Sequence, residues 1–144
     1  MIEKDTIKLL RECDAGVKMG ITSIEDVLPS VQSEKLEKLL TDCKEKHENI
    51  SDEIQKELQR FHDDGKEPNP MAKGMSWLKT NVKLAMADSD HTVADLMIDG
   101  CDMGVKSLSK YLNQYEAADE HSKDIAKKLI NLEEKLGEDL RPFL

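Results

Sequence analysis

The chain has 144 residues, enough for one domain with a core of its own. Its net charge of −9 disfavours nucleic acid and anionic membrane as partners, and no apolar run approaches the roughly 20 residues of a membrane span. Charged residues make up 35% of the chain and aromatics only 3%, a balance that, with abundant Leu, Lys, Glu and Ala, favours packed helices over sheets. Three cysteines with no CxxC spacing fit a reducing cytosol better than a disulfide framework. The opening MIEKDTIKLL, acidic and soon charged again, has no signal-peptide pattern. The expectation at this level is a cytoplasmic helical protein.

A first helix is predicted from Ile7, Leu10, Val17, Ile21, Ile24 and Leu28, which recur at steps of three and four once Asp14 is counted. Leu28-Pro29-Ser30 ends it, because proline cannot continue a helix and restricts the residue before it. Ser33 is the N-cap expected for a second helix carrying Leu36, Leu40, Cys43, Ile50, Ile54, Leu58 and Phe61, which stops at the turn cluster DDGKEPNP. Residues 65–89 then read as a crossover. Within it Met71, Met75, Leu78, Val82 and Ala85 keep helical spacing beside Trp77, so a shorter helix is expected there. Asp88 to Asp90 offer caps for a third helix with Ile98, Val105, Leu108 and Leu112 on its apolar stripe. Asp119 or Ser122 caps a fourth, with Ile125, Leu129, Leu132, Leu136, Leu140 and Phe143.

The two ends of this series repeat one another. CDAGVK at Cys13–Lys18 returns as CDMGVK at Cys101–Lys106, and the same shift of 88 aligns Leu10 with Ile98 and Ile24 with Leu112. A shift of 89 then aligns Ser33 with Ser122, Leu36 with Ile125 and Leu40 with Leu129, the change of one residue falling near Pro29. The pattern describes two duplicated helical hairpins, at about 3–64 and 90–144, joined by the long crossover. The expected fold is a single all-α domain, an up-down four-helix bundle.

Three polar residues interrupt the apolar stripes from within. Asp14 lies between Leu10 and Val17, Asp102 between Ile98 and Val105, and His47 between Cys43 and Ile50. A lone buried carboxylate costs several kcal/mol unless it is neutralised, paired or bound to a metal. Two of them at equivalent places would face each other and require a cation, a shared proton or a protonated histidine. The bland alternative is a local helix break at Gly16 and Gly20 that leaves both aspartates in water. For His47 it is a neutral core histidine hydrogen-bonded to aspartate. The glycines Gly16 and Gly104, each costing about 1 kcal/mol in mid-helix, suggest close packing beside the aspartates. Cys13 and Cys101 read either as a redox pair or, more simply, as small semi-buried thiols. His62, His91 and His121 fall near helix ends and are expected in water.

With its two hairpins and the crossover MSWLKTNVKLAM, the chain resembles the ferritin-like superfamily, in particular small uncharacterised bacterial members. That resemblance implies a ferritin-like bundle, and with it a metal site. Di-iron members draw a carboxylate from each of helices 1 and 3 and a Glu-x-x-His pair from each of helices 2 and 4. Asp14 and Asp102 match the first two positions, shortened from Glu. His47 matches the histidine of helix 2, with Lys44 standing where its Glu would be; Glu133 matches the Glu of helix 4, with Leu136 in place of its His. The resemblance therefore implies a four-ligand set, Asp14, His47, Asp102 and Glu133, suited to iron, manganese or zinc. Its alternative is a decayed site in which Lys44 supplies the positive charge and the bundle acts by association, a homodimer through the Met-rich crossover included. A histidine phosphotransfer module, also a four-helix bundle, ranks last because His47 falls on the apolar stripe.

Overall fold

The computed structural model describes residues 2–66 and 89–144, and all facts below concern these. They form four long helices, α1 (Ile2–Val27), α2 (Glu34–Arg60), α3 (Ser89–Gln114) and α4 (Glu120–Leu140), with single 3-10 turns at Leu28–Ser30 and Arg141–Phe143 and no strand among the described residues. The punctuation follows local chemistry. Pro29 sits in the turn that breaks α1, the Ser33 hydroxyl accepts the Leu36 amide at 3.3 Å, and Asp119 accepts that of Ser122 at 2.8 Å. At the other end of α2 His62 adopts a left-handed φ of 53°, which lets the Asp63 amide close on the Leu58 carbonyl at 3.0 Å. Asp88, a candidate cap, and the expected crossover helix with Met71, Met75, Trp77, Leu78, Val82 and Ala85 lie outside the described residues.

Side chains from one hairpin close the turn of the other. Asp90, in the first turn of α3, accepts the amides of Gln32 and Ser33 between α1 and α2, at 2.8 and 3.1 Å. Asp5 and Thr6, in the first turn of α1, accept the amides of Ala117 and Asp119 between α3 and α4, at 3.2 and 2.8 Å. These contacts set the directions: α1 runs antiparallel to both α2 and α3, and α2 ends at the opposite end of the bundle from where α3 begins. The four helices pack together, α1 against the other three and α4 against α2 and α3 as well.

Two apolar clusters stack along the bundle. One gathers Ile24, Leu36, Leu40, Cys43, Met97, Cys101, Leu136 and Leu140; the other Leu10, Cys13, Val17, Ile54, Leu58, Leu108, Ile125 and Leu129. Each Leu or Ile fully withdrawn from water contributes about 1.5–3 kcal/mol, so these layers carry the fold. His47 and Glu133 occupy the seam between them, His47 between Cys43 and Ile50 of the two clusters and Glu133 between Leu129 and Leu136.

The predicted stripe of α3 holds at Leu108 and is corrected at its other three positions. Val93, Ala94, Met97, Cys101 and Leu108 are buried, whereas Ile98, Val105 and Leu112 are only half-buried. α3 sets Cys101 and Gly104 on the side that packs against Gly137 and Glu133 of α4, where a methyl on either glycine would still find ordinary room. A one-residue rotation of a helix, about 100°, carries Asp102 out of the core.

Candidate functional site

Each predicted site residue has a definite place. Asp14 is fully buried and fully partnered: Oδ1 accepts from Gln55 Nε2 at 2.7 Å, and Oδ2 accepts from the Lys66 amide at 2.9 Å and pairs with Lys18 Nζ at 3.0 Å. Its counter-charge comes from Lys18, one turn along its own helix, not from Lys44. The chain reaches Lys66 through Gly65, whose φ of 85° needs glycine and whose missing Cβ leaves room for the Asp14 carboxylate.

His47 and Glu133 meet two turns away. On α2 the partner of Asp14 is Gln55, eight residues and about 12 Å along the helix from His47. The His47 Nδ1–H donates to the Cys43 carbonyl at 2.8 Å, with the Cys43 sulfur 3.6 Å from the same nitrogen, and Nε2 lies 2.5 Å from Glu133 Oε1. Burial alone would push the imidazolium down, but the hydrogen bonds to Cys43 and Glu133 and the Glu133 charge outweigh it and raise His47 to about 10. The pair is therefore a buried imidazolium–carboxylate bridge at neutral pH, joining α2 to α4. Over it lies Gly20 of α1, where a Cβ would come within 2.7 Å of the imidazole.

Asp102 joins neither group. It is exposed on α3, so the expected facing pair Asp14–Asp102 is not formed, and the four residues divide into a saturated aspartate, a His–Glu bridge and a solvated carboxylate. Among the described residues no three His, Cys, Asp or Glu side chains converge so as to hold a metal ion. Gly16 and Gly104 also differ from expectation, since a methyl at either would meet its neighbours at an ordinary 3.8 Å; the crowded glycine is Gly20.

The cysteines are buried, free thiols. Cys13 belongs to one apolar cluster and Cys101 to the other, so they do not form a pair. Burial, then the nearby Glu12 and Asp14 charges, push Cys13 up to about 12; burial and the neighbouring Glu133 push Cys101 far above the usual thiol range. Neither supplies a thiolate at neutral pH.

Between α1 and α3 runs a trough of about 710 Å³, walled by Met19, Met97, Cys101 and Leu108 and floored by Leu129 and Glu133. Sequence reasoning did not find it, nor Gln55 and Lys66 as partners of Asp14. The i,i+4 spacing of Asp14 and Lys18 was a readable signal, whereas Gln55 looks like any exposed glutamine until α2 is set against α1.

Comparison of the chain with protein-family models, with curated proteins and with solved structures gave no match. What is shown is the class: the described residues are all-helical, and their four long helices pack together.

Proposed function

We propose that this chain is a ferritin-like bundle whose metal site has given way to a self-satisfied polar core, and that it works by association rather than catalysis. The observation that carries this reading is saturation. Both oxygens of Asp14 are engaged by protein donors, and His47 Nε2 and Glu133 Oε1 are engaged by each other. The lysine charge and the imidazolium supply the positive charge that buried carboxylates demand, so the core holds together without a cation. The repeat in sequence and the antiparallel hairpins support the ferritin-like ancestry.

One observation favours the metal reading, the 2.5 Å approach of His47 Nε2 to Glu133 Oε1, since two donors so close would suit one iron, manganese or zinc ion. Elemental analysis after anaerobic incubation with ferrous iron, manganese and zinc decides between the two. The expected result is less than a tenth of an equivalent of any metal, unchanged in His47→Gln. One or two equivalents per chain, lost in that variant, would establish the metal site and remove the association reading.

A further inference from the structure

We propose that the trough between α1 and α3 receives a basic amphipathic helix from a partner protein. The proposal rests on the association reading and assigns it a surface and a class of partner. Shape comes first. The trough wall runs from Glu12 to Ser23 on α1 and from Leu96 to Tyr111 on α3, about 16 and 22 Å at 1.5 Å per residue. Its occupant is correspondingly long, three to four turns of helix. The lining is mostly apolar, and it includes Gly16 and Gly20 of α1 and Gly100 and Gly104 of α3, which add no side chains to the walls. Two antiparallel helices with such a valley between them accept a third by its apolar stripe, the helix-in-groove mode.

Charge gives the sign of the partner. Asp99 and Asp102 stand exposed on the α3 rim, three residues apart, and neither makes a hydrogen bond or ion pair among the described residues. Met103, 59% exposed, sits beside them. An apolar side chain exposed among the described residues, next to two carboxylates with no partner among them, matches a segment that brings apolar residues and Lys or Arg at helical spacing. A second copy of this chain brings the wrong charge, since each copy carries −9. On the opposite rim Glu12 is already engaged by Lys66, so the unsatisfied charge lies on the α3 side.

The test uses the full chain and two fluorescein-labelled 18-residue helical peptides with the same Leu stripe, one with Lys and one with Glu on the polar face. Fluorescence anisotropy should show saturable 1:1 binding of the Lys peptide at micromolar concentration and at least tenfold weaker binding of the Glu peptide. Asp99→Asn with Asp102→Asn, or Met103→Lys alone, should weaken the Lys peptide at least fivefold. Asp124→Asn, which alters an exposed acid on α4, should leave it unchanged. All these sites are exposed, so the variants keep the fold, which circular dichroism checks. Equal affinity for both peptides, or insensitivity to the rim variants, would overturn the proposal. So would a failure of the intact chain to bind, whether its own residues 67–88 or a second copy fills the trough. Metal uptake in the elemental analysis would instead remove the reading on which the proposal rests, so the two failures are distinguishable.

Discussion

CDAGVK and CDMGVK are nearly the same hexapeptide in two helices, yet they live in different solvents. In α1 Cys13, Asp14, Ala15 and Val17 are all buried; in α3 only Cys101 is, while Asp102 and Met103 lie exposed and Val105 is half-buried. The difference comes from neighbours. α1 packs against all three other helices, and the segment ending at Lys66 folds back over its Asp14 face. Among the described residues α3 packs mainly on α4 and α1 and leaves its aspartate side exposed. A motif thus specifies a helix and its spacing, whereas the number of elements around that helix decides what an aspartate in it does.

That contrast can be broken at its seam, where the largest effect is expected. Removing one member of a buried pair strands the other, a loss of about 3–5 kcal/mol, so His47→Ala and Glu133→Ala should each destabilise by that much in urea unfolding. Losses below about 1 kcal/mol would mean that the bridge is not formed in solution. The two aspartates sharpen the comparison directly. Asp14→Ala leaves the Gln55 amide and the Lys66 N–H without their acceptor and should cost about 2–3 kcal/mol. Asp102→Ala on the open face should stay within about 0.5 kcal/mol of the parent. Equal losses would contradict the one-residue rotation of α3.

Proton linkage gives a smaller, graded test. The free-chain imidazole titrates near 6.5 and His47 in the fold near 10, so the folded state binds the extra proton. The stabilisation is complete below about 6.5 and is lost as pH rises through 10, with a slope of at most about 1.4 kcal/mol per unit. The buried thiols act in the same direction only above their free-chain value of 9.0, so the window between 6.5 and 9 belongs to His47. Stability should decline across that window in the parent and stay flat in Glu133→Gln. The glycines give the smallest contrast. Gly20→Ala drives a methyl into the imidazole and should cost about 1 kcal/mol after the gain in helix propensity, whereas Gly104→Ala, with ordinary room, should gain up to about 1 kcal/mol.

Much of the architecture was legible because helix punctuation is local chemistry. Pro29, Ser33 and Asp119 act within three or four residues of themselves, and their roles were readable as written. The burial of His47 was readable too, since it lies on a strong apolar stripe, whereas Glu133 was named only through the resemblance. The fate of Asp102 was not readable. Its neighbours Ile98 and Val105 compete with Met97 and Cys101 for the core side, and the choice depends on how α3 is rotated against α1 and α4. The repeat also misled here, because it assigned to Asp102 an environment that only α1 possesses.

The side chains that close the turns have a consequence for how the molecule comes together. Asp90 holds the bend of the first hairpin, and Asp5 and Thr6 hold the bend of the second. Each half therefore carries a clasp for the bend of its counterpart, added to the local caps at Ser33 and Asp119. Made separately, 1–66 and 89–144 would each open at the bend and fray. Mixed, they should regain their helix together in a single concerted step, so that the chain behaves as one folding unit and not as two hairpins in series.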